Sequence, residues 1–227
     1  MNILNLFWTM PVLILTAGEI KSQEQDNQRF VDPGADIMSR YVWRGTDYGA
    51  SPSIQPHLEF TAGNFTAGAW GAYTTNRPGV QEMDLYLGYN IREMITLTLT
   101  DYFFPDEISG YDYYEYRKDL SDHIFEGMIS FNGTDRMPVR FMAAMNFFND
   151  DENSLYFEAG YSFSFLEVFA GAGNGLYTTD RKSGLVNVGI SAGKEITVTE
   201  KYALPVSVSL ITNPQAEKVY LVFGISF

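Results

Sequence analysis

From Ala35 onward, apolar and polar residues alternate with a period of two in runs of about ten residues, with turn-forming residues between them. No apolar period of 3.6 persists long enough for an amphipathic helix. The last run is the clearest: Val219, Leu221, Phe223, Ile225 and Phe227 form one face, and Lys218, Tyr220, Val222, Gly224 and Ser226 the other. Met83–Ile91 and Val186–Ala192 repeat the pattern. Further strands are predicted over Ala35–Thr46, Ser53–Ala62, Phe65–Thr74, Ile95–Phe104, His123–Asn132, Val139–Phe148, Ser154–Phe163, Val168–Tyr177 and Ala203–Leu210. With those three runs they make about twelve, an even number that brings both ends to one side. Strands in soluble sandwiches average about five or six residues, whereas runs of about ten, tilted about 45°, match a bilayer core. Lipid cannot satisfy open strand edges, so the expectation is an all-β, membrane-spanning, antiparallel up-and-down barrel.

The connections carry the same signal. Short turns at Gly63-Asn64, Arg92–Met94, Gly133–Met137, Ser164–Glu167 and Thr199–Lys201 alternate with connections at Asp47–Pro52, Thr75–Gln81, Pro105–Asp122, Asn149–Asn153, Thr178–Gly184 and Thr212–Glu217. Most of the second set are longer, as in barrels with short periplasmic turns and long external loops. Upstream, the apolar stretch Leu4–Ala17 is shorter than the roughly twenty residues of a membrane-spanning helix, and suits the core of a secretory leader. No Lys or Arg precedes it. The expected organisation is a signal peptide over residues 1–22, a short periplasmic tail over 23–34 and the barrel over 35–227.

Composition narrows the function. Lys and Arg total 15 against 28 Asp and Glu, a net charge of −13, which argues against nucleic acid as a partner. With no cysteine, disulfides, thiolate metal sites, cysteine nucleophiles and a lipid-modified cysteine are all excluded. No cofactor or metal site is expected. Aromatic residues make up 15% of the chain while mean hydropathy is only −0.13, a combination suited to alternating strands.

Phase along each strand nominates the lumen-facing residues. If Ile37, Tyr41 and Trp43 face lipid, then Arg40 and Arg44 face inward, about 13 Å apart. Gln55, His57 and Glu59 follow on the next strand, then Asp84 and Tyr86, Arg140, and Glu158. Glu59 and Asp84 are the expected partners of the two arginines. Facing rows of guanidinium and carboxylate select solutes in an open pore, or pair and fill a closed one. Inward Gly160, Ser162, Gly171, Gly173, Asn187, Ser191, Ser207 and Ser209 suggest that one wall is unfilled. The acidic, tyrosine-rich segment Pro105–Asp122 lacks EF-hand spacing and reads as a hydrated external loop or one folding over the mouth. His57 and His123 are the only histidines, and neither accompanies a nucleophile motif, so no enzymatic activity is expected.

Three stretches resemble the TorF-type porins of Gram-negative outer membranes: SRYVWRG at Ser39–Gly45, EMDLYLGY at Glu82–Tyr89 and TDYFFP at Thr100–Pro105. The motif residues that carry the likeness are Arg40, Tyr41, Trp43, Arg44 and Gly45, then Asp84, Tyr86 and Gly88, then Asp101, Tyr102 and Pro105. The resemblance implies an outer-membrane barrel passing small solutes, and brings no catalytic group. The terminal pattern Phe223, Ile225, Phe227 similarly resembles the C-terminal signal read by the barrel-assembly machinery. Outer-membrane lipid, that machinery and small polar solutes are thus the expected partners. Two functions fit: a porin or passive channel for small hydrophilic solutes, or a non-conducting structural or adhesion barrel with a filled lumen and functional external loops.

Overall fold

The computed structural model describes residues 30–76, 79–92, 94–105, 112–134, 136–163, 165–200 and 202–227, so the leader expected over 1–22 lies outside them. The wall consists of β1 (Phe30–Met38), β4 (Ser53–Ala62), β5 (Phe65–Thr74), β6 (Gln81–Ile91), β7 (Ile95–Phe103), β8 (His123–Phe131), β9 (Val139–Phe148), β10 (Leu155–Ser162), β11 (Leu166–Gly173), β12 (Gly184–Thr199), β13 (Tyr202–Asn213) and β14 (Lys218–Ser226). The remaining two strands, β2 (Val42–Trp43) and β3 (Thr46–Asp47), form a small hairpin apart from the wall. Each wall strand pairs antiparallel with its sequence neighbours, and β1 closes the ring by pairing with both β4 and β14. The seam is short, with Asp36↔Ser226, Ile37↔Ile225 and Met38↔Gly224 in register, extended by reciprocal backbone bonds between Ala35 and Phe227.

Side-chain alternation explains the closed shape. On β6, Glu82, Asp84 and Tyr86 are buried while Leu85, Leu87 and Tyr89 are exposed, because successive residues of a strand point to opposite faces. Polar groups thus lie inside and apolar groups outside, the inverse of a soluble domain. Leu58, Leu87, Leu99, Ile129, Phe157, Val208 and Leu221 are all more than 40% exposed on the outer face. Aromatic pairs flank this belt near both strand ends: Phe65–Tyr89 and Tyr161–Phe163 toward the short turns, Phe125–Phe148 toward the longer connections.

Most strand boundaries agree with the periodicity, and the departures are local. β1 begins at Phe30, so five residues assigned to the tail pair with β4, Phe30↔Thr61 through Gly34↔His57. β1 also stops at Met38, so the predicted strand Ala35–Thr46 is overturned beyond that point. Toward the turn side β12 and β13 continue past the neighbouring strands: Ala192 is the last β12 residue paired with β11, but β12 runs on to Thr199. At the other side β11 ends at Gly173, and a single 3-10 turn at Gly175–Tyr177 swings Tyr177 into the barrel.

The described part of the Pro105–Asp122 loop packs on the outer rim at β7 and β8. Tyr116 stacks on His123 at 4.2 Å, and Tyr113 meets the same ring edge-on at 5.0 Å. The His123 nitrogens lie 2.7 Å from an Asp101 carboxylate oxygen and 2.8 Å from the Tyr113 carbonyl. Farther out, hydrogen bonds from the Arg117 side chain and N–H hold the Glu115 carboxyl down at about 2. Among the described residues, no three His, Asp or Glu are grouped to hold a metal ion.

Candidate functional site

The segment between β1 and β4 enters the lumen. Its hairpin turns on Arg44 and Gly45, with φ of +48° and +78°, between the paired residues Trp43 and Thr46. Positive φ at both central positions marks the two-residue turn whose twist suits a tight hairpin. The Tyr48 N–H donates to the Tyr41 carbonyl at 2.7 Å and extends the ladder. Gly45 at the tip lies so close to the wall that a Cβ there would sit 1.8 Å from the Val186 carbonyl oxygen. Asn213 Nδ2 donates to the Gly45 carbonyl at 3.1 Å.

Around this tip the barrel supplies a fitted seat. The Arg44 guanidinium, 3% exposed, forms a two-pronged ion pair with Glu126, which is 1% exposed. Arg44 Nη1 also donates to the Tyr177 hydroxyl at 2.6 Å, and the hydroxyls of Tyr177 and Tyr102 donate to Glu126 at 2.9 and 3.0 Å. The guanidinium carbon is 4.4 Å from the Trp43 ring centroid, 4.6 Å from Tyr156 and 5.1 Å from Tyr177, within the range where a cation is attracted to an aromatic face. On the opposite flank Tyr41 donates to Glu82 at 2.6 Å and packs against Trp70 at 5.6 Å. The hairpin therefore touches residues of β5, β6, β7, β8, β10, β12 and β13.

This geometry corrects the phase expected for the first strand. Tyr41 and Trp43 face the interior, not the outside, because they belong to an inserted hairpin whose alternation only mimics a wall strand. Arg44 is in the lumen, but its partner is Glu126, not Glu59 or Asp84. Arg40 pairs with Asp47 within the same loop, and 40% of its side chain stays exposed.

The remaining nominated residues lie on the inner wall. Arg140 bridges two carboxylates, Glu158 and Glu167, each at 2.8 Å. Glu158 also accepts from Tyr156 at 2.5 Å and from Asn187 at 2.8 Å. Glu59 accepts from Tyr86 at 2.9 Å, and Gln55 donates to Ser53 at 3.5 Å. His57 is buried, and neither ring nitrogen has a hydrogen-bond partner among the described residues. Asp84 is wholly buried. Phe223, Ile225 and Phe227 sit on β14 and just after it, with Phe223 and Phe227 exposed on the outer face.

The glycines read as an unfilled wall are slots. The space in front of Gly171 is taken by the Tyr156 hydroxyl, and that in front of Gly160 by Glu167 and Arg140. Glu82, Glu126, Glu167, Tyr102 and Tyr177 were not nominated from sequence. Glu126 was within reach of the pattern: it alternates with Phe125, Ile129 and Phe131, so a charge there has only the interior to face.

Substituting Gly45 tests the seat. Gly45→Ala meets backbone, which cannot move aside as a flexible side chain would, and it places a Cβ at positive φ. Collisional quenching of tryptophan fluorescence is expected to rise as Trp43 and Trp70 lose cover. Wild-type quenching in the variant would mean that the hairpin tip does not touch β12.

By sequence, no curated protein matches the chain. Among solved structures, a mutant of the Rh. blastica porin aligns at 12% identity and a TM-score of 0.38 over 77% of this chain and 55% of that one. The chain thus spans about half the length of that porin. A chain from a structure concerned with the in-meso crystallization of membrane proteins aligns at 9% identity and a TM-score of 0.44, over 88% and 83%. A family model matches residues 23–216, and the chain belongs to that family, Gcw_chp, bacterial proteins of unknown function.

Proposed function

We propose that this protein is a porin-like channel of the outer membrane, closed at rest by the hairpin and passing small hydrophilic solutes when the hairpin withdraws. The observation that carries the reading is the inversion of polarity. An apolar outer belt with aromatic residues at both margins suits lipid, and a charged, hydrogen-bonding inner wall suits water and solutes. Outer-membrane lipid would then surround the belt, the assembly machinery would engage the strand bearing Phe223, Ile225 and Phe227, and no catalysis enters the reading. The likeness to TorF-type porins supports it, since the three stretches that carry it supply the hairpin, its acceptor Glu82 and its neighbour Tyr102.

A second reading, a barrel that never conducts, is favoured by the hairpin's contacts with seven wall strands. Planar-bilayer recording separates the two. The wild-type protein is expected to show rare, brief openings, and a variant with Tyr41–Tyr48 replaced by an equally long Gly/Ser segment is expected to conduct steadily. A hairpin-less barrel that folds yet stays silent would reject the channel and leave the structural barrel.

A further inference from the structure

The seat of Arg44 has the composition of a receptor for a cation. Glu126 meets the guanidinium with both oxygens, two tyrosine hydroxyls hold that carboxylate in place, and the rings of Tyr156 and Tyr177 face the charge. With the hairpin seated, Glu126, Tyr102, Tyr156 and Tyr177 are all less than 9% exposed, so they form a built site and not a surface patch. The planar two-pronged contact matches a guanidinium in shape as well as charge. Its occupant is carried on a hairpin with a two-residue turn and not by the wall, so the barrel remains closed by its own strand pairs without it.

The charge of the surrounding lumen points to the same ligand class. Among the described residues of the wall strands, the buried carboxylates are Asp36, Glu82, Asp84, Glu126, Glu158 and Glu167, against the guanidiniums of Arg140 on β9 and Arg44 on the hairpin. When the hairpin leaves, one of those two cations leaves with it, and Glu126 loses its cationic partner while keeping the Tyr102 and Tyr177 hydroxyls.

We propose that the cradle of Glu126, Tyr102, Tyr156 and Tyr177 is a recognition site for solutes bearing a guanidinium or ammonium group, which Arg44 occupies as a built-in competitor. Its bearing on transport rests on the channel reading; its existence as a site does not. A permeating organic cation would replace Arg44 at Glu126 and hold the hairpin out, coupling arrival of the solute to opening.

Arg44→Ala vacates the cradle, and methylguanidinium is the probe. At concentrations too low to denature, it is expected to raise the thermal midpoint of Arg44→Ala saturably, recovering about half or more of what the substitution removed. Equal sodium chloride and equal urea are expected to do neither, and Arg44→Ala/Glu126→Gln is expected not to respond. If that double variant does not fold, Arg44→Ala/Tyr102→Phe, which keeps the charge and loses one hydroxyl, is expected to need several-fold more probe. Equal midpoints in methylguanidinium and sodium chloride would overturn the site. In bilayers, the probe is expected to block the current of the hairpin-replaced variant. Conductance without block would overturn the site, whereas a specific midpoint rise in a barrel that never conducts would uphold the site and overturn the channel.

Discussion

Arg44→Ala is expected to lower the stability of the protein by about 3–5 kcal/mol, because removing one partner of a buried ion pair leaves the other charged and out of water. Glu126 would keep only the hydroxyls of Tyr102 and Tyr177. The loss should fall on the hairpin first, since no wall ladder passes through Arg44. Far-UV circular dichroism and the heat-dependent shift in gel mobility are therefore expected to persist, while tryptophan quenching rises and the unfolding midpoint falls. Arg44→Met combined with Glu126→Gln removes both charges and should cost much less than either charge alone. If Arg44→Ala left quenching and midpoint unchanged, the guanidinium would not be the anchor of the hairpin.

The wall was legible in the sequence because strand alternation is a local property, and lipid and lumen impose opposite demands on neighbouring residues. Met83–Ile91 and Lys218–Phe227 were recognisable at once, and their paired strands closely agree. The inserted hairpin was not legible for the same reason. Arg40, Val42 and Arg44 alternate with Tyr41 and Trp43 as a wall strand would, and only the positive φ at Arg44 and Gly45 turns the chain. A glycine at position 45 was the available hint, although glycine in a strand pattern also marks bulges and close approaches. Likewise Tyr177 continues the alternation of β11, and its inward swing depends on a 3-10 turn that periodicity does not encode.

Partner choice inside the lumen was harder still. Phase identifies which residues face inward, but not which strands lie opposite once the sheet closes. Arg44 therefore appeared to belong with Glu59 and Asp84, on nearby strands, when its partner lies 82 positions away on β8. The three stretches that carry the likeness to TorF-type porins hold several residues of the site: Tyr41, Trp43 and Arg44 lie on the inserted hairpin, while Glu82 and Tyr102 belong to its seat. Glu126 and Tyr177 lie outside those stretches, and the resemblance implied a barrel but neither the hairpin nor its seat.

Arg140→Ala is the second change with a large expected effect, and it tests the wall where no hairpin intervenes. Arg140 on β9 reaches across Gly160 on β10 to Glu167 on β11, and also binds Glu158, so one cation serves two buried carboxylates. Its loss is expected to cost about 3–5 kcal/mol, read as a lower midpoint in denaturant, and Glu167→Gln in the same chain should recover part of it. Gly160→Ala should act in the same direction by about 1–3 kcal/mol, because its Cβ would stand 2.4 Å from the Glu167 carboxylate and force the bridge aside. The bridge and the hairpin share a contact: Glu158 accepts from Tyr156, whose ring lies under Arg44. Arg44→Ala and Arg140→Ala are accordingly expected to be non-additive in a double-mutant cycle, by about 0.5 kcal/mol or more. Strict additivity would make the wall and the plug independent, and withdrawal of the hairpin would then leave the Arg140 bridge unaltered.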